Sequence, residues 1–536
     1  MEIIELSLPA TNRLATEYIE GTFPVHEAFH PCSFQERLHE LQKRTYAREA
    51  IVDHLLTYHK QFQASAETMA NIEKLRHPES VVVIGGQQAG LLTGPLYTIY
   101  KIISIITLAK QQEQQLGVPV VPVFWMASED HDIAEINYVH VAEYGKVKKR
   151  IYPPLAKEKR MAAHIELDAN ACRQWIDDVL KTYGETDVTN ELRAYIHACI
   201  AKSNTVVDFF ANVVLTLFAK EGIVVVDAAH PQLRAMEREW FMTLIHEHHM
   251  ITNALQNQQQ HLERLGYTKA IDVMPMCAHL FYDDGQRRLL YYDDAQRCFY
   301  TKDGAYRFAP DELRQRIESD PQSFSNNVVT RPLMQEWLFP TLAFIAGPGE
   351  IAYWAELKQV FEHFHWRMPP IVPRLSLTLI ERHIASDVAD VHMTVAEALT
   401  NGTKQALEKW MRDNQPVAFD ETFHEAKKEI ARIHEQLRQL GLQVDPQLEG
   451  VMLKNAERVE TQIDYLQQLI TRRLLQKHDV HIRKYERIEL ALRPNGMPQE
   501  RVWNVFYYIN RYGFDFVDRL LHVDYRWNGL HKIVYI

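Results

Sequence analysis

The chain has 536 residues, which is more than one ordinary hydrophobic core accommodates, so we expect two or three domains. Hydrophobic residues make up 46% of it and charged residues 24%, the balance of a globular protein in water. The net charge is −11 and no long basic run occurs. A nucleic-acid partner is therefore disfavoured, because binding phosphate backbones requires a concentrated positive face.

The N-terminal segment, the longest apolar run and the cysteines bear on location. Residues 1–18 lack a basic region followed by a long apolar stretch, so no secretory signal is predicted. The apolar run at 118–127 is about half of the roughly 20 residues that a membrane helix needs. The cysteines have no paired spacing, which predicts a reducing cytoplasm and no structural zinc. They are Cys32, Cys172, Cys199, Cys277 and Cys298.

The first part of the chain alternates helical and strand patterns. After a helical region over residues 1–78, Val81–Ile84 reads as a buried parallel strand. A helix beginning near Thr93–Pro95 and ending at Gly117 leads to a second strand at 118–127. A third apolar strand, at 222–229, is flanked by helices. This alternation predicts an α/β fold with a doubly wound parallel sheet.

Changes of pattern indicate inserts and a second domain. Within a core of residues 1–380 we expect a helical insert at about 145–215 and a small β-rich insert at about 262–325, where period-two alternation surrounds a DDGQ turn. Apolar residues then recur with heptad spacing over 419–440 and 452–470, separated by a short turn. This predicts an antiparallel coiled coil in a domain of residues 381–492, with 493–536 returning to the core.

A glycine-rich turn follows the first core strand, in the stretch VVVIGGQQAGLLTGPLYTIYK at 81–101. It matches neither the dinucleotide fingerprint nor the P-loop. Its backbone N–H groups and the following helix N-terminus are suited to an anion, and Gln87, Gln88 and Thr93 add uncharged hydrogen-bonding groups. The alternative is that the glycines only permit a tight turn between strand and helix. They are Gly85, Gly86, Gly90 and Gly94.

An acidic tetrad, Glu129-Asp130-His131-Asp132, directly follows the second strand. Ligands of open α/β sheets bind beyond the carboxyl ends of the strands, so we expect the glycine turn and the tetrad to open on one cleft. The tetrad is suited to binding Mg²⁺, or to orienting His131 as an acid or base with its pKa raised by neighbouring anions. The alternative is a solvated turn whose aspartate caps the next helix.

Three weaker candidates follow other strand patterns. Asp227 ends the third strand, where it either lines the cleft or caps a helix. Glu350 lies in the first turn of a helix opened by a second glycine turn. The nearby Arg331 is suited to clamping a carboxylate or phosphate group.

Four segments together closely resemble the bacillithiol biosynthesis cysteine-adding enzymes. They are GGQQAGLLTGPLYTIYK, PVFWMASEDHDIAEIN, TRPLMQEWLFPTLAFIAGPGEIAYW and MPPIVPR. They occur in order, and the resemblance extends over nearly the whole chain. Ser128 and Tyr138 depart from the family pattern, which often has a glycine and a histidine at these places.

The resemblance implies a Rossmann-like core with inserts and a homodimer formed through the coiled coil. It also implies amide formation between cysteine and glucosaminyl-malate, both small molecules, in the cytoplasm. Because a free carboxylate does not acylate an amine unaided at neutral pH, the reaction requires activation, for which ATP and Mg²⁺ are the candidates. The sequence has no H-x-G-H or K-M-S-K-S, the usual adenylate-forming pair.

The residues expected to carry catalysis are Glu129, Asp130, His131 and Asp132. The expected substrate contacts are Gly86, Gln87, Gln88, Thr93, Gly94, Tyr97, Asn137, Asp227, Arg331, Glu350, Tyr353 and Trp354. Two other functions stay open. One is a non-catalytic scaffold that binds a nucleotide and recruits partners through its coiled coil, and the other is a metal-dependent hydrolase using the acidic tetrad.

Overall fold

The computed structural model describes residues 2–153, 160–414 and 419–536. The chain divides into two compact units. The first consists of Met1–Leu379 with Gln499–Ile536, and the second of Ile380–Pro498. No helix of the described residues is long and apolar enough to cross a membrane.

The elements are numbered in chain order. The strands are β1 Glu2–Leu6, β2 Val81–Gln87, β3 Val120–Met126, β4 Tyr138–Glu143, β5 Lys146–Ile151, β6 Val224–Asp227, β7 Cys277–Asp283, β8 Arg287–Asp293, β9 Cys298–Thr301, β10 Arg307–Phe308, β11 Phe324–Asn326, β12 Thr341–Ala346, β13 Ile371–Pro373, β14 Leu377–Ile380 and β15 His531–Tyr535. The helices of the first unit are α1 Arg13–Ile19, α2 Phe34–Leu41, α3 Arg48–Gln61, α4 Ala66–Lys74, α5 Leu96–Leu116, α6 Ile133–Ile136, α7 Ala169–Tyr183, α8 Thr189–Ala201, α9 Val206–Leu217, α10 Pro231–His246, α11 His248–Arg264, α12 Pro310–Ser319, α13 Thr330–Leu338, α14 Pro348–Ala355, α15 Lys358–His363, α22 Val505–Tyr512 and α23 Asp515–Leu521. Those of the second are α16 Arg382–Asp390, α17 Val395–Asn401, α18 Lys404–Asp413, α19 Phe419–Val444, α20 Glu449–Lys477 and α21 Asp479–Leu492.

A five-stranded parallel sheet, in the order β13-β12-β2-β3-β6, forms the centre of the first unit. Apart from the edge strand β13, its strands are almost entirely buried and rich in apolar residues, as parallel strands covered on both faces should be. Gln87, Met126 and Asp227 are neighbours across β2, β3 and β6. The predicted doubly wound α/β fold is confirmed, and these strands end at one edge of the sheet.

Both ends of the chain take part in a smaller sheet, in the order β1-β15-β14. Ile3 pairs with Val534 in an antiparallel register. The helical interpretation of residues 1–78 is therefore wrong for Glu2–Leu6. These residues form a strand because they pair with β15, about 530 positions later in the sequence. No local pattern reveals such a distant partner.

Both inserts contain antiparallel strands. The expected helical insert begins instead with a hairpin, β4–β5, in which Tyr138 pairs with Ile151 before α7 to α9 follow. The residues expected to form the β-rich insert contain a five-stranded sheet, in the order β10-β9-β8-β7-β11. Phe281, Leu289 and Ser325 are cross-strand neighbours and therefore share one face of this sheet.

The second unit contains the long helical hairpin that the heptads predict. Helices α19 and α20 run antiparallel, because contacts near the start of α19 reach the far part of α20. Lys427 pairs with Asp464 at 2.5 Å, and His434 Nε2 lies 3.1 Å from Asn455 Oδ1. Several heptad residues remain exposed on this hairpin: Ile433, Leu437, Leu440, Leu466 and Ile470.

Candidate active site

A cavity of about 580 Å³ in the first unit brings together part of the predicted site. One wall is the segment after β3, and another is the face of the antiparallel sheet that carries Phe281 and Leu289. Of the predicted residues, the cavity is lined by Glu129, Asp130, His131, Arg331 and Tyr353. Its other lining residues include Arg287, Tyr291, Lys302, Asp272 and Cys277.

The glycine turn and the acidic tetrad are in direct contact, as expected for two segments that end neighbouring strands. The Nε2 atom of Gln88 donates a hydrogen bond to Asp130 Oδ2 at 2.6 Å. The backbone N–H of His131 donates to Asp130 Oδ1 at 2.7 Å. The Asp130 carboxylate is therefore held at the cavity wall by donors on both oxygen atoms.

The imidazole of His131 faces an arginine that the sequence analysis did not select. Arg287 Nη1 lies 3.3 Å from His131 Nδ1. A guanidinium has no acceptor, so this contact is a hydrogen bond when His131 is neutral, with its Nδ1 lone pair toward Arg287 and its proton on Nε2. Arg287 is buried and fixed by hydrogen bonds to Ser325 Oγ at 2.9 Å and to the Asn326 carbonyl at 2.6 Å.

Glu129 turns away from its neighbours into a buried ion-pair cluster. Its carboxylate pairs with Arg234, and Arg234 also pairs with Glu237 at 2.7 Å. All three side chains are buried, and this burial raises the pKa of Glu237 to about 7. Arg234 thus fixes the position of the Glu129 carboxylate in the cavity lining.

The tetrad does not form one convergent set of metal ligands. Glu129 points to Arg234, Asp130 accepts from Gln88, and Asp132 is exposed where α6 begins. In residues 2–153, 160–414 and 419–536, no group of three or more histidine, cysteine, aspartate or glutamate side chains is arranged to hold a metal ion. The carboxylates that follow one another in sequence diverge because the turn directs successive side chains to different sides.

Gly85 and Gly86 belong to strand β2 and allow close packing. A Cβ atom at Gly85 would lie 3.0 Å from the carbonyl oxygen of Ile345, and one at Gly86 would lie 3.1 Å from that of Trp125. The structure therefore places the predicted contact Gly86 between neighbouring strands, outside the cavity lining. Its packing role corresponds to the alternative interpretation of these glycines.

Beneath the turn lies a buried lysine, Lys101. Its Nζ atom donates to the Gly86 carbonyl at 2.6 Å and to Glu350 at 2.5 Å, and it lies 3.3 Å from Gln87 Oε1. Burial lowers the pKa of Lys101, while Glu350 opposes that shift. The predicted contacts Gln87 and Glu350 thus support the turn from below. A single charge within the apolar stretch YTIYKIISIITLA was the available sequence signal for Lys101.

The N-terminus of α5 is covered by the C-terminal segment. The backbone N–H of Leu96 donates to the Trp503 carbonyl at 2.8 Å. Thr93 and Gly94 are buried and do not line the cavity. The N–H of Leu96 is therefore not presented to an anion, because the chain itself supplies the acceptor.

Besides Glu350 and the predicted residues of the glycine turn, four further predicted contacts lie outside the cavity lining: Tyr97, Asn137, Asp227 and Trp354. Trp354 is buried and packs on Phe344 with ring centroids 4.7 Å apart. Asp227 is buried at the end of β6, where it accepts hydrogen bonds from the Ser128 hydroxyl and the Ala229 N–H. Burial raises the pKa of Asp227.

Cationic side chains distinguish one part of the cavity. Arg287 begins strand β8 of the antiparallel sheet, and Lys302 directly follows its strand β9. Arg331 comes from α13, where its guanidinium bonds to the Tyr353 hydroxyl. Such a group of cations fits substrate carboxylates or phosphates. Of the three, only Arg331 was predicted, since strand positions in a hairpin do not indicate which distant turn they face.

A Rossmann-like parallel core with a polar cavity at its strand ends, combined with a long helical hairpin, defines an α/β protein with a coiled-coil domain. Residues 1–375 match the model of the bacillithiol biosynthesis BshC N-terminal Rossmann-like domain, and residues 377–536 match that of the BshC C-terminal coiled-coil domain. The chain belongs to the bacillithiol biosynthesis BshC family.

Similar proteins cover the chain from end to end. A protein of Anoxybacillus flavithermus (strain DSM 21510 / WK1) is 86% identical over 536 residues, covering 100% of both chains. Proteins of Geobacillus sp. (strain WCH70) and Bacillus cereus (strain Q1) are 52% and 43% identical over 542 and 538 residues, again covering 100% of both chains. Each is named "Putative cysteine ligase BshC".

Proposed function

We propose that this protein is the cytoplasmic ligase that joins the carboxyl group of L-cysteine to the amino group of glucosaminyl-malate, forming an amide. The observation that carries the proposal is the cavity in which Asp130 and His131 lie opposite Arg287, Lys302 and Arg331. Acyl transfer to an amine requires an acceptor for the amine proton and a donor for the developing oxyanion. Substrates bearing several carboxylates also require cations.

The side chains divide these tasks. Asp130, whose oxygens are positioned by Gln88 and the His131 N–H, accepts the proton that the attacking amine loses. The Nε2–H of His131 donates to the carbonyl oxygen as it gains charge. A carbon–nitrogen bond forms at the cysteine carboxyl carbon, and the bond from that carbon to its activating group breaks.

The activating group is proposed to come from ATP with Mg²⁺. The nucleotide would convert the cysteine carboxylate into an acylating species. At the glycine turn, the N–H of Leu96 already donates to the Trp503 carbonyl and is not available to the nucleotide phosphates. Arg287, Lys302 and Arg331 do fit anionic oxygens and are the side chains that would hold them.

Supplying cysteine, glucosaminyl-malate and Mg-ATP should yield the amide product together with AMP or ADP. We expect His131→Ala to lower kcat/KM about a hundred-fold, the usual effect of removing an oxyanion donor. Mass spectrometry of the product and steady-state kinetics measure both results. Lack of turnover by folded wild-type protein would contradict the ligase, and full activity of the variant would contradict the role of His131.

The same assay distinguishes the two alternatives. A nucleotide-binding scaffold binds ATP without consuming it, and substitutions on its coiled coil are more harmful than those in the cavity. A metal-dependent hydrolase is inhibited by chelators and needs no ATP. The ligase is favoured because the polar side chains gather in a cavity, which a scaffold does not require.

We also propose a homodimer formed through the helical hairpin. Ile433, Leu437 and Leu440 are apolar and exposed on α19, and a second copy of the chain would cover them. The double substitution Leu437→Glu with Leu440→Glu should lower the solution mass from twice 62.6 kDa to 62.6 kDa, as measured by light scattering. Lys428→Glu serves as the control, because Lys428 lies on the opposite face of α19 from Leu437. A dimer that persists in the double variant would overturn this interface.

A further inference from the structure

The second half of the glycine turn has an unusual backbone conformation. Leu92, Thr93 and Gly94 follow one another with φ angles of 50°, 66° and 69°. Only glycine adopts this region readily, and a β-branched residue such as threonine is especially disfavoured there. Such a run of residues persists only when surrounding contacts hold it, and conformations of this kind cluster at functional sites.

The contacts that hold this run come from a residue about 410 positions later in the chain, Asn504. Its Nδ2 atom donates to the carbonyl oxygens of Leu92 and Gly94, each at 2.7 Å. Asn504 is only 2% exposed, so water does not replace these bonds. Its Oδ1 accepts from the N–H of Phe506 at 2.9 Å, and this bond fixes the orientation of the amide.

The turn transmits this constraint to the cavity. Gln88 lies in the same turn as Leu92 and donates to Asp130, so a shift of the turn displaces the donor that positions this carboxylate. We propose that Asn504 is a positioning residue for the ligase reaction: its side-chain amide holds the turn in its left-handed conformation and thereby keeps Gln88 against Asp130. The inference rests on the proposed function for its kinetic consequence, but its structural part is independent of it.

The substitution Asn504→Asp isolates the donor. Aspartate keeps the shape of asparagine and the oxygen that accepts from Phe506, but it replaces the donating N–H groups with a second oxygen and adds a negative charge. Asn510 offers a matched control on the same segment: it is also buried, and its Nδ2 donates to the Gly184 carbonyl at 2.9 Å while its Oδ1 accepts from Thr189. Asn510→Asp therefore introduces the same buried charge away from the glycine turn.

Hydrogen exchange and kinetics on both full-length variants test the proposal. In Asn504→Asp we expect amide exchange over residues 88–96 to accelerate at least about ten-fold, and kcat/KM to fall about ten-fold to a hundred-fold, because small displacements at a reaction centre have such effects. In Asn510→Asp exchange over this stretch should not change, and kcat/KM should stay within about three-fold at a similar loss of Tm.

Unchanged amide exchange over residues 88–96 in the Asn504 variant would show that Asn504 does not hold the turn. An equal loss of kcat/KM in both variants would overturn its positioning role. If the aspartate variants do not fold, Asn504→Ala and Asn510→Ala provide the same comparison without a buried charge. If the wild-type protein shows no ligase activity, the proposed function fails while the exchange result still decides whether Asn504 holds the turn.

Discussion

Arg234→Met is expected to reduce the free energy of unfolding by about 3–5 kcal/mol. The substitution keeps most of the side-chain volume and removes the guanidinium that pairs with both Glu129 and Glu237. Two buried carboxylates then lose their shared counter-charge, and that desolvation cost exceeds any gain from packing methionine. Urea unfolding monitored by circular dichroism measures the change. Arg238→Met, on the same helix but with a half-exposed ion pair to Glu318, should cost less than about 1 kcal/mol.

The stability loss caused by Arg234→Met should depend on pH in a direction set by the pKa of Glu237. Burial raises the pKa of Glu237 from 4.5 to about 7, so the folded state holds its proton more tightly than the unfolded state does. The stability linked to Glu237 is therefore fully present below about pH 4.5 and is lost as the pH rises through about 7. The loss of unfolding free energy in Arg234→Met should therefore be smaller at pH 6 than at pH 8.5. A stability loss that is independent of pH would show that Arg234 does not stabilise the ionised forms of the two carboxylates.

Asp130→Asn should lower kcat/KM about a thousand-fold while leaving the fold intact, since the amide has the same shape but accepts no proton. Steady-state kinetics with varied cysteine and varied glucosaminyl-malate measure the loss. We expect it mainly in kcat, because the proton transfer belongs to the chemical step. Glu135→Gln, the same carboxylate-to-amide change on the exposed side of α6, is the control. An equal loss of kcat/KM in the two variants would contradict the role of Asp130 as proton acceptor.

The parallel core and the long helical hairpin were predictable because their signals are local. Val81–Ile84 and Ile223–Val226 are continuous apolar runs, and heptad spacing persists through α19 and α20. The contact between Gln88 and Asp130 was also predictable, since both follow strands that end at one edge of a parallel sheet.

The rest of the site depends on contacts between distant parts of the chain. Arg287 reaches His131 from an antiparallel sheet more than 150 positions later, and nothing in its hairpin sequence indicates that destination. Asn504 donates to the Leu92 and Gly94 carbonyls, and Thr93 and Gly94 are buried outside the cavity lining. Glycines beside a predicted ligand site are equally compatible with strand packing, which is the role that Gly85 and Gly86 have.

The small sheet β1-β15-β14 has a consequence for biosynthesis. Its middle strand, His531–Tyr535, is synthesised more than 500 positions after β1 and about 150 positions after β14. Until β15 has been synthesised, both outer strands lack their partner and present unpaired backbone edges, which are prone to non-native pairing. A message truncated just before codon 531 should therefore yield a chain that requires chaperones and is degraded rapidly, although it retains every residue that lines the cavity.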